Sequence, residues 1–278
     1  MRGSLILRKT LYHRNDIRPA LMGMGLSSRR VLYLFLASLP RKVNNKTGKV
    51  EILFDSSMEF DLSIEEYANA CNVDHPTAYR QLKEAVYDLM GFVLTPSFKL
   101  TKDIDPSLPK DWVEPFNVAT DGTGYSKGEG FIRVRFHEKM RPLISDLTKG
   151  FTGQYLESAV AIPESNASKL YLLLREWISA NRYVSEKEVS FAKLREDLGI
   201  EEIKTYELFN DFNKQFFKRS AKKLIEKTEF SEITMVISER KVRKAHKVKI
   251  SWKFDSKALA EKESENKEFI ENVDKMKN

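Results

Sequence analysis

Positively charged side chains are concentrated in one stretch of this chain. Between Lys204 and Phe254 there are 14 lysines or arginines against 6 aspartates or glutamates, a net charge of +8, whereas the whole 278-residue chain has 47 against 40, a net charge of +7. Each phosphate that a lysine or arginine neutralises releases condensed counterions, so a concentrated basic stripe is typical of nucleic-acid binding. A solvated basic surface would have the same composition. The elements that carry the charges must therefore decide between these two interpretations.

The charged stretch has the pattern of a helix followed by a hairpin. Apolar residues recur at three- and four-residue steps and predict one long amphipathic helix. They are Phe209, Phe212, Phe216, Phe217, Ala221, Leu224 and Ile225, with Gln215, Lys218, Arg219 and Lys222 opposite. After Thr228 the period changes to two, which predicts two half-buried strands over Ile233–Ile237 and Val248–Phe254. A helix, a strand, a basic loop and a strand, in that order, form the end of a winged helix.

The first half of the chain has a weaker version of the same order. Val31–Leu39 resembles Leu170–Ile178, and both patterns predict buried helices. About forty residues later, each half has a helix-turn-helix pattern. The helices are Ile64–Cys71 and Pro76–Met90 in the first half, and Phe191–Leu198 with the long helix in the second. In the first half, Phe92–Leu94 and Phe131–Phe136 are the predicted strand pair.

Length and composition predict two domains, because 278 residues with 41% hydrophobic content can bury two cores. The order of helix and strand patterns in both halves indicates the α+β class. We place the first domain at 1–148 and the second at 149–254, followed by a charged tail at 255–278. A segment rich in proline and glycine, residues 95–130, is interpreted as an extended wing or mobile loop inserted in the first domain.

Catalytic and metal-binding patterns are not found in the sequence. Cys71 is the single cysteine, and the four histidines are isolated from one another, so no metal-ligand spacing is present. The glycine-rich run Gly122–Gly130 lacks the Gly-Lys-Ser/Thr of a phosphate-binding loop. The longest apolar run, Val31–Ala37, is too short to span a bilayer. We therefore expect a non-enzymatic cytoplasmic protein with no cofactor, no metal and no membrane association.

Five stretches resemble the iteron-binding replication initiators of bacterial plasmids, proteins with two tandem winged-helix domains. They are Arg14–Ile17, Ser28–Tyr33, Ala78–Glu84, Asp211–Phe216 and Lys249–Phe254. The run Ala78–Glu84 is similar to the gamma-origin type in particular. The resemblance covers most of Leu11 to Phe254, and its specificity comes from the shared order of the motifs. The insertion at 95–130 and the tail have no clear counterpart.

The resemblance implies which residues contact DNA. In the family the second winged helix places its long helix in the major groove, so Asn213, Lys214 and Gln215 would meet base edges. Family members can carry arginines in this run, and this chain differs from them there. Lys218, Arg219 and Lys222 would contact phosphate, and Arg240, Lys241, Arg243, Lys244 and Lys247 would form the wing. In the first domain Thr77, Arg80, Gln81 and Lys83 would make auxiliary contacts with DNA. Arg29 and Arg30 are expected at the start of a helix, where they would either contact the DNA backbone or remain as surface charges.

The resemblance also implies partners. They are double-stranded DNA with direct repeats at an origin, an inverted repeat at an operator, and host initiator and helicase proteins. A homodimer in equilibrium with the monomer would use the first domain for dimerisation and would repress its own gene. The alternatives are a dedicated winged-helix transcriptional regulator, a nicking enzyme, and a winged-helix protein-interaction module.

Overall fold

The computed structural model describes residues 10–43, 50–95, 113–145 and 150–261, together with positions 107, 109 and 147. The chain divides into two compact units, Met1–Thr152 and Gly153–Asn278. Residues 96–106, 108 and 110–112 of the predicted insertion, and the tail beyond residue 261, lie outside the described residues. Within the described part of the chain, no helix has the length and apolarity that a membrane span requires.

The described helices of the first unit are α1 to α5, and its strands are β1 to β8. The helices are α1 (Arg18–Gly23), α2 (Leu26–Ser38), α3 (Ile64–Cys71), α4 (His75–Gly91) and α5 (Arg141–Ile144). The strands are β1 (Thr10–Arg14), β2 (Arg41–Val43), β3 (Val50–Ile52), β4 (Phe60–Ser63), β5 (Val93–Leu94), β6 (Phe116–Asn117), β7 (Gly124–Ser126) and β8 (Phe131–Val134). Short 3₁₀ turns cover Asn15–Ile17 and Glu138–Met140.

In the second unit a long helix precedes a long hairpin. Strand β9 (Phe151–Tyr155) crosses the division between the units and is followed by α6 (Leu156–Ala161), α7 (Ser165–Ala180), β10 (Glu186–Ser190) and α8 (Phe191–Asp197). Helix α9 runs from Phe209 to Lys227, with an α segment at Phe209–Asp211, a π segment at Phe212–Phe217 and an α segment at Lys218–Lys227. A 3₁₀ turn at Lys204–Tyr206 precedes it, and the hairpin is β11 (Phe230–Lys241) and β12 (Lys244–Phe254). Residues 256–261 form a last helical turn, α10.

The same antiparallel three-stranded sheet occurs in both units. Its order is β4-β8-β7 in the first unit and β10-β12-β11 in the second. In each case the strand before the first helix of the helix-turn-helix pairs with the last strand of the hairpin, as Phe60 with Val134 and Glu186 with Ser251. Both units are therefore winged helices, and the predicted α+β fold with two tandem winged-helix domains is confirmed.

One predicted strand pairing is wrong. Val93–Leu94 pairs with Phe116–Asn117, whereas Phe131–Val134 pairs with β4 and β7. The prediction missed β4, although Phe60–Ser63 alternates apolar and polar residues, the short pattern of a half-buried strand. It missed β10 because its sequence, Glu-Lys-Glu-Val-Ser, has no apolar alternation, and the strand depends on the backbone ladder that β12 offers.

Local hydrogen bonds explain where the first helix-turn-helix begins and turns. The Ser63 hydroxyl accepts from the Glu66 N–H (3.1 Å), and the Glu66 carboxylate accepts from the Ser63 N–H (3.0 Å), which forms a capping box at the start of α3. Asn72 ends that helix in the left-handed region (φ 50°). The Asp74 carboxylate then accepts from the Thr77 N–H (2.7 Å) and caps α4.

Helix α2 is the centre of the first core. It is buried on all sides, and Phe35 stacks on Phe136 with ring centroids 4.0 Å apart. Arg29 and Arg30 are buried as well, at 0% and 2% exposure, so the expectation that they reach the surface or DNA is wrong. Burial lowers the pKa of Arg29, and the Arg30 guanidinium donates to Oε1 of Gln81 (3.2 Å). Both arginines belong to the fold of the first unit.

Candidate nucleic-acid interface

The predicted base-contacting residues Asn213, Lys214 and Gln215 lie on the π segment of α9. A straight α-helix would place Phe212 and Ala221 about 180° apart around the axis, because nine residues advance by that angle beyond two full turns. The extra residue of a π turn rotates the second half back by about one residue. Phe212, Phe216 and Phe217 can then enter the same core as Ala221 and Leu224.

The π turn also corrects the predicted apolar face. Ser220 is buried on the core side of α9, whereas Ile225, predicted on the apolar face, is 41% exposed. A pattern search with a constant 3.6-residue period cannot place either residue, since the period changes inside the helix. The π segment therefore sets which side chains of α9 point outward.

The outward face of α9 is basic. Lys214, Gln215, Lys218, Arg219 and Lys222 are exposed, and Asn213 is half-buried. The Nζ of Lys222 lies 3.9 Å from the Glu226 carboxylate, an exposed pair of small stabilising effect. Among the described residues, no carboxylate forms an ion pair with Lys214, Lys218 or Arg219. These charges are available to an anionic partner.

The tip of the second hairpin turns through two residues that glycine and asparagine usually occupy. Val242 and Arg243 have φ of 46° and 66°, the backbone of a type I′ turn. This region is unfavourable for a β-branched residue, yet Val242 is 95% exposed and gains no packing in return. The turn places Arg240, Lys241, Arg243 and Lys244 at the end of the hairpin, all exposed.

The hairpin charges divide into a paired base and an open tip. The Lys247 ammonium lies 2.9 Å from Glu239 and 3.5 Å from Glu188, and its hydrogen bond to Glu239 raises the pKa of Lys247. Farther down the strand, Lys249 pairs with Glu186 (3.3 Å) and Lys253 with Glu232 (2.7 Å). Lys241 lies 3.8 Å from Glu239. Within the described chain Arg240, Arg243 and Lys244 form no ion pair, so the open charge is at the tip.

In the first unit, the four predicted residues of α4 have different surroundings. Arg80 is exposed, and Thr77 lies half-buried in the first turn. Oε1 of Gln81 accepts from the Tyr67 hydroxyl (2.9 Å) and from Arg30, so this side chain is held against the core. The Lys83 ammonium lies 5.7 Å from the centroid of the Tyr125 ring.

Two exposed tyrosines on the same face of α4 were not among the residues predicted from the sequence. Tyr79 and Tyr87 are 37% and 60% exposed, four residues before and after Lys83, and the Tyr87 and Tyr125 rings are 6.2 Å apart. The spacing of 79, 83 and 87, three positions four residues apart on one helix face, was the available signal. The outer face of α4 is thus both aromatic and basic.

No group of three or more histidines, cysteines, aspartates or glutamates converges within the described residues. Cys71 is buried beside Tyr67, and burial raises the pKa of its thiol to about 11. A thiol in that state is a poor nucleophile or ligand, because the thiolate is the reactive form.

Comparison with known families agrees with this geometry. Residues 10–175, more than half of the chain, match the family described as "Initiator Replication protein, WH1", and residues 190–252 match "Initiator Rep protein, WH2". The chain belongs to this replication initiator family. The WH2 match contains α9 and nearly all of the hairpin, so the basic face and the basic tip belong to the second winged helix of a replication initiator.

Two relatives of this initiator cover most of its length. The PI protein of Escherichia coli is 27% identical over 265 residues, which is 87% of this chain and 82% of that protein. The crystal structure of the Pi initiator protein in complex with iteron DNA has a TM-score of 0.74 with 22% identity, and the likeness covers 90% of this chain and 99% of that one. The second likeness supports the same tandem winged-helix fold.

The WH1 match extends to residue 175, past the division between the two compact units at Thr152. Helix α7, which contains Tyr171 and Arg175, lies in the second unit because both side chains bind Glu229, the residue before β11.

Proposed function

We propose that this initiator binds direct repeats at a plasmid origin, promotes opening of the adjacent duplex and recruits host replication proteins in the bacterial cytoplasm. The observation that carries the proposal is the open positive charge on two adjacent elements of the second unit, the outer face of α9 and the tip of the hairpin. Recognition of iteron DNA by the related Pi initiator supports it. No cofactor or catalytic step is part of the mechanism.

In this proposal the second unit reads sequence. Asn213, Lys214 and Gln215 meet base edges in the major groove, where an amide can bond adenine through two hydrogen bonds and a lysine can bond guanine. Lys218, Arg219 and Lys222 bind phosphates and fix the position of α9. The π turn contributes by orienting the three base-contacting residues outward while Phe212 and Phe216 stay in the core.

The tip of the hairpin supplies a second set of phosphate contacts. Arg240, Arg243 and Lys244 reach the DNA backbone, and Lys241 lies beside them. Lys247 serves mainly to hold the hairpin, since it is paired with Glu239 and Glu188. Contacts from both elements allow binding energy to bend the DNA, which favours strand opening nearby.

The first unit makes auxiliary contacts. Arg80 and Lys83 on the outer face of α4 approach phosphates, and Thr77 lies at the helix start nearest to them. We extend the proposal to Tyr79 and Tyr87 on that face. Gln81 supports the helix through Tyr67 and Arg30. By similarity to the family, this unit also mediates a dimer that binds an inverted operator and represses the initiator's own gene.

Footprinting of the full chain on the DNA that flanks its own gene tests the proposal. We expect several evenly phased direct repeats to be protected, with an affinity that falls by about 10³ to 10⁵ between 50 and 200 mM salt if roughly six to ten phosphates are contacted. Protection of a single palindrome would instead support a dedicated transcriptional regulator. A nearly flat salt dependence would contradict binding through the basic face.

Two variants test the assignment of residues. Lys214→Ala should weaken binding to the repeats more than binding to unrelated duplex, because it removes a base contact. Arg219→Ala should weaken both by a similar factor, because a phosphate contact carries no sequence information. Equal losses for the two variants on both DNAs would contradict the division between base-contacting and phosphate-contacting residues.

A further inference from the structure

A groove with an apolar floor lies between α9 and β11 in the second unit. Its volume is about 540 Å³, and its floor is formed by apolar side chains. They are Phe217, Ala221, Ile225, Ile233 and Met235. Strand β11 is an edge of the described three-stranded sheet, so none of the described strands covers that side of the groove. Ile225 is 41% exposed there, which is unusual for an isoleucine beside other apolar groups.

The rim of the groove is mainly positive. Lys218 and Lys222 line it together with Asn213, which lies on the π segment. Glu226 lies at its lower end and is already close to Lys222 (3.9 Å) and Lys223 (3.5 Å). A partner that fits the groove must therefore combine apolar side chains with negative charge.

The segment that follows the described residues has this composition. Residues 263–274 contain four glutamates, one aspartate and one lysine, a net charge of −4, together with Phe269, Ile270 and Val273. The chain leaves the described structure after residue 261, beyond β12 and α10. The Asp255 N–H donates to the Glu229 carbonyl (2.8 Å), two residues after the end of α9, so the chain passes the lower end of the groove at Asp255, shortly before the segment begins.

The segment is also long enough to extend along the whole groove. The 17 residues from 262 to 278 can span at most about 56 Å when extended. The part of α9 that lines the groove, from Asn213 to Glu226, is roughly 20 Å long. Tethering to the same chain gives such a segment an effective concentration of the order of millimolar, so a modest affinity is sufficient for occupancy.

We propose that the acidic segment 263–274 of this chain docks in the groove between α9 and β11 and competes with DNA for the basic face. Phe269 and Ile270 contact the floor, and the carboxylates lie against Lys218 and Lys222. DNA then binds only when its own contacts displace the segment, which favours specific repeats over unrelated duplex. The competition rests on the proposed function, whereas the docking itself does not.

Docking is tested without DNA. The probe is a fluorescein-labelled peptide with the sequence of residues 262–278, and the protein is the full chain carrying Phe269→Ser and Ile270→Ser, so that its own segment no longer fills the groove. We expect fluorescence anisotropy to show peptide binding at least about tenfold tighter than to the unaltered chain, in which the tethered segment competes.

Two matched changes in this background locate the site. Ile225→Gln removes an exposed apolar side chain from the floor and should reduce the affinity for the peptide by about tenfold. Val236→Gln removes a similarly exposed one from β11 outside the groove and should leave the affinity unchanged. No peptide binding to any chain, or equal losses for both changes, overturns the proposal.

Competition is then measured with duplex DNA from the region flanking the gene. The Phe269→Ser, Ile270→Ser chain should bind unrelated duplex several-fold more tightly than the unaltered chain, and added peptide should reverse the gain. Equal DNA affinities would overturn the competition. Peptide binding without any DNA binding would refute the proposed function and leave the docking intact, so the two failures are distinguishable.

Discussion

Gln81 and Gln215 have the same side chain, and both come from helices predicted to face DNA, yet their surroundings differ. Gln215 is exposed on the π segment, whereas Oε1 of Gln81 accepts hydrogen bonds from Tyr67 and Arg30. Lys244 and Lys247 differ in the same way, because only Lys247 faces carboxylates. Residue type and helix face predict candidates, but the partner across the core or across the sheet determines the role.

The two lysines of the hairpin give a matched test at this scale. Lys244→Ala should reduce the slope of log affinity against log salt by about 1, because an open cation near phosphate is lost. Lys247→Ala should change it less, because Glu239 and Glu188 already neutralise that charge. Fluorescence anisotropy over a salt series measures both slopes. A larger change for Lys247→Ala would contradict the division into an open tip and a paired base.

His13 gives the first unit a dependence on pH. The side chain is fully buried, and burial lowers its pKa from 6.5 to about 4. The pKa of His13 is lower in the folded chain than in the unfolded chain. Its contribution to the free energy of unfolding is therefore fully present above pH 6.5 and is lost as the pH falls through about 4. The shift corresponds to roughly 3 kcal/mol. The protection factors of the α2 amides, which correct for the intrinsic pH dependence of exchange, should therefore fall over that window, and His13→Gln should reduce the fall.

At the scale of elements, the sequence predicted the helices and the second hairpin but not the change of period within α9. The apolar spacing is continuous from Phe209 to Leu224, and nothing local marks the π turn. The turn follows from the need to bury Phe212 and Ala221 in one core, which is a property of the folded unit. Strand β10 was not predicted for a related reason, since its formation depends on pairing with β12 and not on its own residue pattern.

The type I′ turn of the hairpin allows a prediction at the scale of elements. Val242→Asn places a residue that tolerates positive φ where a β-branched residue is strained, and Val242 has no packing to lose. We expect the hairpin to gain about 1 kcal/mol of local stability. Slower hydrogen exchange of the β11 and β12 amides would show the gain. Unchanged exchange would mean that the turn carries no strain.

At the scale of the whole molecule, the two units have the same topology, but the cations of their hairpins have different partners. In the first unit, arginines of and just after β8 face carboxylates beside and on β4, with Arg133 bound to Asp61 (2.6 Å) and Arg135 to Glu59. In the second unit, the corresponding hairpin keeps its basic tip open. The base of each hairpin thus has paired cations, and the second hairpin adds an open basic tip.

The second unit is held together by a buried charge cluster that lies behind the basic surface. Glu229 is fully buried, and its carboxylate accepts from Ser158 (2.8 Å), Tyr171 (3.2 Å) and Arg175 (3.1 Å). The Arg175 Nε donates to the Gly153 carbonyl (2.9 Å). One carboxylate therefore joins the end of β9, α6 and α7 to the junction of α9 and β11.

Removing that carboxylate should loosen the second unit alone. Glu229→Ala leaves Arg175 buried without its counter-charge, a change that costs about 3–5 kcal/mol. Hydrogen exchange should accelerate in β10, β11 and β12, and exchange in β4 and β8 should be unaltered. The double variant Glu229→Met, Arg175→Met should recover part of the loss, because no unpaired charge remains. If exchange accelerates equally in both units, or if the double variant is as unstable as both single losses combined, the cluster does not stabilise the second unit as a single network.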